Sequence, residues 1–271
     1  MNKRVKRLLR PLVHRTLSPK TVQSLRFQWW YMSTFVPRKL SSGVRTPQVR
    51  HFGATVTPPS LKHLQSLNLL APTETCRVMT KFGSDKAWNS YTPVYSALFG
   101  ERGDQPLRIL ELGLGTNNED VLSNMGVFGA PGASLRGWRQ IFPRAQVYGA
   151  DIDRGILFEE DRIKTFHCDQ LDAASIRELW SRPELRGGAD IIIEDGLHTL
   201  EANISFLEGS LRYLRPGGTY VIEDIGFDTF NEWFDRLEKV YSKQYPNYEF
   251  AFVTMSEHGH NNMLVARRAA E

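Results

Sequence analysis

Apolar positions along the chain follow two periods, and their alternation predicts an α/β fold. Short runs of branched and aromatic residues read as buried strands at Arg108–Leu112, Ala145–Ala150, Lys164–His167, Ile191–Ile193, Tyr220–Ile222, Phe250–Met255 and Met263–Arg267. Between them the spacing turns helical. Ser134–Phe142 carries Leu135 and Trp138 on one face. Leu200, Ile204, Leu207, Leu211 and Leu214 lie on or near one face of the next helix. Phe230, Trp233, Phe234, Leu237 and Tyr241 face inward over residues 229–245. The stretch from Ala189 to Ile225 is the clearest: strand, helix, strand, each strand ending in a Glu-Asp pair. In a parallel sheet both carboxyl ends reach the same edge, where ligands of open α/β sheets bind. Asp195, His198, Glu223 and Asp224 should therefore gather in one crevice.

The first 59 residues break this pattern. Residues 1–40 read as two short helices, one with Val5, Leu8, Leu9 and Leu12, the other with Val22, Leu25, Trp29, Trp30 and Met32. Residues 41–59, rich in Gly, Ser and Pro, show no period and read as a linker. The domain proper is expected over residues 60–271. Its part from 60 to 100 should form a helical cap over the active edge, with the Lys81-Phe-Gly-Ser-Asp-Lys86 turn followed by a helix start at Thr92-Pro93. Tyr91 and Tyr95 read equally well as core aromatics.

Charge sharpens that division. No acidic residue precedes Glu74, and 13 of the 34 Lys and Arg residues do. The remainder carries 21 basic against 30 acidic groups, so a basic arm precedes an acidic domain. Nucleic-acid binding by the domain is disfavoured. The arm suits peripheral contact with anionic lipid through residues 1–40, or a solvated tail, or a subunit contact. No run of 18 apolar residues is present to span a membrane, and Arg10, His14 and Arg15 interrupt any secretory apolar region. Cys76 and Cys168 stand in no metal or redox spacing, which fits reduced thiols and a cytoplasmic setting.

The chemistry-bearing positions sit at strand ends. Gly113-Leu-Gly115 after the first strand lets backbone approach a ligand. Asn118 stands where a dinucleotide fingerprint needs its third glycine, so hydride chemistry is disfavoured. Glu111 suits a different nucleotide-like ligand. Asp151 closes the second strand, where a carboxylate can accept from both hydroxyls of a ribose. Asp169 and Gln170 follow the third, where an acid and an amide could read an adenine. Three carboxylates, Asp195, Glu223 and Asp224, can hold a hard cation, and His198 beside them can take a proton. Asp195 could instead cap the following helix, and His198 could be a surface residue of its first turn.

The motifs FGSDK with YTPVY, ILELGLG, ASLRGWRQIFP, VYGADID, FHCDQ, EDGLH and RPGGTYVIEDI, in that order, resemble class I S-adenosylmethionine-dependent methyltransferases. More narrowly they are similar to the metal-dependent sugar O-methyltransferases, over roughly Thr80 to Arg268. The resemblance implies a Rossmann-like seven-stranded sheet with a terminal antiparallel strand. It implies Mg²⁺ held by Asp195, Glu223 and Asp224, with His198 as general base. It implies S-adenosylmethionine held by Glu111, Gly113, Gly115, Asp151, Asp169 and Gln170, with Ser84 of the FGSDK turn. A carbohydrate acceptor follows, on a glycoside, glycolipid or polysaccharide, and family members commonly form homo-oligomers. Leu197 departs from the small polar residue that relatives carry there. Two other readings stay open: a catechol- or phenol-type O-methyltransferase, and a membrane-docked binding protein acting through the arm.

Overall fold

The computed structural model describes residues 43–54, 61–126, 129–255 and 261–270, together with residues 29, 32 and 35–40. The two helices expected over residues 1–40 lie largely outside the described residues. Among the described residues one sheet of nine strands forms the centre. In chain order these are β1 (Gln48–Gly53), β2 (Arg108–Leu112), β3 (Gln146–Asp151), β4 (Glu159–Glu160), β5 (Ile163–His167), β6 (Ala189–Glu194), β7 (Leu214–Ile225), β8 (Tyr248–Thr254) and β9 (Asn262–Arg268). Their order across the sheet is β1-β8-β9-β7-β6-β2-β3-β5-β4. The contiguous block β7-β6-β2-β3-β5 is parallel, and β9 runs antiparallel between β7 and β8.

The expected seven strands are all present, and two more flank them. β4 is a two-residue edge strand beside β5. β1 lies inside the segment read as a linker, and pairs antiparallel with β8 from Gln48↔Thr254 to Gly53↔Glu249. The sheet therefore takes in residues 48–53, upstream of the boundary expected at 60. Period-2 reasoning misses β1 because only Phe52 is buried in it. Backbone pairing to β8, rather than a buried face, makes it a strand.

Six helices cover the two faces: α1 (Glu74–Phe82), α2 (Tyr91–Phe99), α3 (Ala133–Ile141), α4 (Ala173–Ser181), α5 (Leu200–Ser210) and α6 (Phe230–Arg236), the last continuing through a wider turn to Gln244. Strand residues alternate between faces. Ile109, Val147, Ile191, Ile193 and Val221 pack towards Met79, Tyr91, Tyr95, Leu135 and Trp138. Leu110, Tyr148, Ile192, Tyr220 and Ile222 pack towards Trp180, Phe206, Leu207, Trp233 and Tyr241. α5 buries Ala202, Asn203, Phe206, Leu207 and Ser210. Leu200 and Ile204 are only partly buried, and Leu211 and Leu214 lie beyond the helix end. Phe206, fully buried, takes the inward position on the sheet that Leu200 was expected to share.

Candidate active site

Register brings the acids to one edge. Leu112 pairs with both Ala150 and Glu194, and Glu194 with Ile222, so Gly113, Asp151, Asp195 and Glu223 each lie one step past the same line. Alternation then sorts them. Glu111 shares the parity of Ile109, Asp195 that of Ile193, and Glu223 that of Val221. All three belong to the face covered by α1, α2 and α3.

At the centre of these three carboxylates is Lys86, from the turn between α1 and α2. Its Nζ donates to Asp195 Oδ2 at 2.7 Å and to Glu223 Oε1 and Oε2 at 2.9 and 2.8 Å, and lies 3.3 Å from Glu111 Oε1. The side chain is 2% exposed. Burial works against its charge, but attraction by Asp195, Glu111 and Glu223 prevails and holds its pKa well above the ordinary lysine value. Glu111 also accepts from Ser134 Oγ (2.6 Å) and Trp138 Nε1 (2.5 Å). Glu223 accepts from the Tyr95 hydroxyl as well. The FGSDK motif names Lys86, but its partners lie 109 and 137 residues away. Strand parity was the available signal, since it places three acids on one face in need of a cation.

Asp195, His198 and Asp224 form a second, more open group, whose nearest polar atoms lie within 4.8 Å of one another. His198 Nε2 is 4.0 Å from Asp195 Oδ1 and 4.0 Å from Asp224 Oδ2. The other oxygen of each aspartate is taken: Asp195 Oδ2 by Lys86, Asp224 Oδ1 by the Tyr91 hydroxyl at 2.6 Å. Burial pushes the Asp224 carboxyl up to about 6, with Asp195 adding to it. Both His198 (φ 62°) and Asp224 (φ 55°) occupy the left-handed region, which non-glycine residues rarely adopt. Asp195 does not cap α5. Thr199 does, its Oγ1 accepting from Ala202 N at 3.3 Å, and His198 precedes the helix. Glu194 lies behind this group, fully buried. Gln170 Nε2 donates to it at 3.1 Å, as does the Asn203 amide in the orientation that satisfies both its ends. Burial lifts the Glu194 carboxyl to about 7.

The group opens into a cavity of about 620 Å³ that also meets Gly113, Gly115, Asn118, Asp151, Asp169 and Gln170. Asp151 accepts from Leu114 N (2.6 Å) and Asp153 N (2.8 Å), one bond per oxygen, leaving lone pairs towards the cavity. Gly113 has φ +90°, and a Cβ there would stand 1.9 Å from the carbonyl oxygen of Asp195. Gln170, which lines this cavity, also donates to Glu194 and accepts from Leu197 N (2.7 Å), so it braces the Asp195 turn. Ser84 and Glu111 do not line this cavity. They border a smaller one of about 30 Å³ beside Lys86. Leu122, Met125, Ile152 and Leu171 give the large cavity an exposed apolar rim.

This fold and crevice have counterparts. No protein-family model matches the chain. A solved structure, MycE methyltransferase of the mycinamycin biosynthetic pathway in complex with Mg and SAH, superposes with a TM-score of 0.54 at 25% identity, covering 73% of this chain and 55% of that one. The chain carries the class I methyltransferase fold. In sequence, this methyltransferase homologue is 34% identical over 157 residues to 8-demethyl-8-(2-methoxy-alpha-L-rhamnosyl)-tetracenomycin-C 3'-O-methyltransferase of Streptomyces olivaceus, which is 57% of this chain and 37% of that one. It is 37% identical over 136 residues to mycinamicin VI 2''-O-methyltransferase of Micromonospora griseorubida, 50% and 31% of the two chains. The methyltransferase homologue thus matches less than two fifths of the length of these relatives. Among its described residues no helix is long and apolar enough to cross a membrane.

Proposed function

We propose that this protein transfers the methyl group of S-adenosylmethionine to a sugar hydroxyl in a Mg²⁺-dependent reaction. The observation that carries this reading is the group of Asp195, His198 and Asp224 at the mouth of a cavity large enough for a nucleoside-sized ligand. Similarity to O-methyltransferases, one of them named for a rhamnosyl acceptor, supports it. That name favours a small glycoside over the lipid-linked or polymeric glycan that a basic arm suggests.

The donor set suits the ion. Two carboxylates present oxygens inward, and hard oxygen ligands fit Mg²⁺. Asp195 and Asp224 would hold it; Glu223, expected to join them, has both oxygens engaged by Lys86 and one by Tyr95. Magnesium bound there would supply Lewis-acid polarisation of the acceptor hydroxyl, and the sulfonium cosubstrate the methyl group. The chain's own residues do the rest. Gly113 and Gly115 admit the cosubstrate backbone-to-ligand, and Asp151 accepts from its ribose hydroxyls. His198 Nε2, facing both aspartates, takes the hydroxyl proton as the carbon–oxygen bond forms. Leu197 and the apolar rim line the same cavity and offer apolar contact to the bound ligands.

The test is methyl transfer to a panel of rhamnosides and other glycosides, followed by S-adenosylhomocysteine release. EDTA should abolish turnover and Mg²⁺ restore it. Turnover unchanged by EDTA, or methylation of catechols but of no glycoside, would overturn the reading.

A further inference from the structure

We infer that Tyr91 is a positioning residue for the ion site, one that fixes both the side chain and the main chain of Asp224. This rests on the magnesium-dependent reading above. Tyr91 opens α2 and is fully buried. Its hydroxyl donates to Asp224 Oδ1 at 2.6 Å and accepts from Asp224 N at 3.1 Å. One phenol thus uses its single proton on the carboxylate and a lone pair on the amide of the same residue.

That double contact falls on a residue at φ 55°, a conformation that costs an aspartate free energy unless its surroundings hold it. The consequence is directional. With Oδ1 tied to Tyr91, Oδ2 is the oxygen left facing His198, at 4.0 Å. One helical turn later, Tyr95 donates to Glu223. The two tyrosines of YTPVY, four apart on one face, therefore grip the two consecutive acids at the end of β7. Only Tyr91 reaches a carboxylate of the open group.

Phenylalanine at position 91 keeps the ring and removes both bonds. The experiment is Mn²⁺ binding to the full chain by electron paramagnetic resonance, without cosubstrate or acceptor, for wild type, Tyr91→Phe and Tyr95→Phe. Loss of bonds to a charged group predicts a Kd raised roughly ten- to hundredfold in Tyr91→Phe. S-adenosylmethionine affinity should stay within about threefold, and saturating Mg²⁺ should restore most of kcat, so the defect appears in the KM for Mg²⁺. A folded Tyr91→Phe whose Mn²⁺ affinity changes less than about fivefold overturns the inference. Wild-type protein that binds no Mn²⁺ removes the underlying reading and the inference with it. Should Tyr91→Phe fail to fold, 3-fluorotyrosine at position 91 keeps the hydroxyl. Its ¹⁹F resonance should then move during a Mg²⁺ titration, and a resonance that stays still overturns the inference.

Discussion

The two ends of the crevice are built by different means. At the cosubstrate end, Asp151 is held by the amides of Leu114 and Asp153, and Asp169 by the amide of Leu171. These are backbone contacts within strand-end turns. At the ion end, Asp195, Glu223 and Asp224 are held by side chains of Lys86, Tyr95 and Tyr91, from a separate helical layer. The first end is rigid because the main chain is. The second depends on how α2 and the Lys86 turn dock on the sheet. Binding a nucleoside needs only the first; activating an alcohol needs the second.

Crossed substitutions give the largest separation of the two ends. His198→Ala should cut turnover about 10²- to 10⁴-fold, the usual contribution of a general base, while S-adenosylmethionine binds within threefold by calorimetry. Asp151→Asn should do the reverse, weakening S-adenosylmethionine about tenfold with a smaller effect on saturated turnover. If both variants weaken cosubstrate binding equally, the ends are not separable. Next in size is Lys86→Met. It leaves Glu111 and Glu223 buried, and Asp195 half-buried, without their cation, and breaking a buried pair in this way typically costs about 3–5 kcal/mol. Urea melts should show that loss in metal-free protein, and saturating Mg²⁺ should offset part of it. An unchanged midpoint would mean that Lys86 holds nothing together.

The smallest effect concerns pH. Burial raises the Glu194 carboxyl from 4.5 to about 7, so the folded protein holds a proton that the unfolded chain releases. Stability from this group is full below about pH 4.5 and falls as pH rises to about 7. Glu194→Gln, which the Asn203 amide can accommodate by rotating, should raise the melting temperature at pH 8 by several degrees and change it little at pH 4.5. A gain independent of pH would place the effect in packing instead.

The same division explains what could be read from the chain. The parallel block and the acids at its edge follow from apolar runs and the residues that end them, because local sequence sets both; the antiparallel direction of β9 follows from the family resemblance alone. Asp195, His198 and Asp224 meet as the strand order requires. Lys86, Tyr91 and Tyr95 could be placed in the cap over the active edge but not matched to Asp195, Asp224 and Glu223, because these partners are over a hundred residues distant and a tyrosine in an apolar helix looks like filling. Gln170 was read as a ligand contact. Only the structure reveals that its amide also bonds Glu194 and Leu197. β1 was hidden because an edge strand with one buried residue has no period to detect.

Gly113 gives the two compartments a common wall. Its missing side chain is the gap into which the Asp195 carbonyl projects, so the loop proposed to meet the sulfonium donor is packed directly on the turn that carries the first acid. In the proposed reaction, the distance between the migrating carbon and its acceptor oxygen would be gauged across a single bare α-carbon.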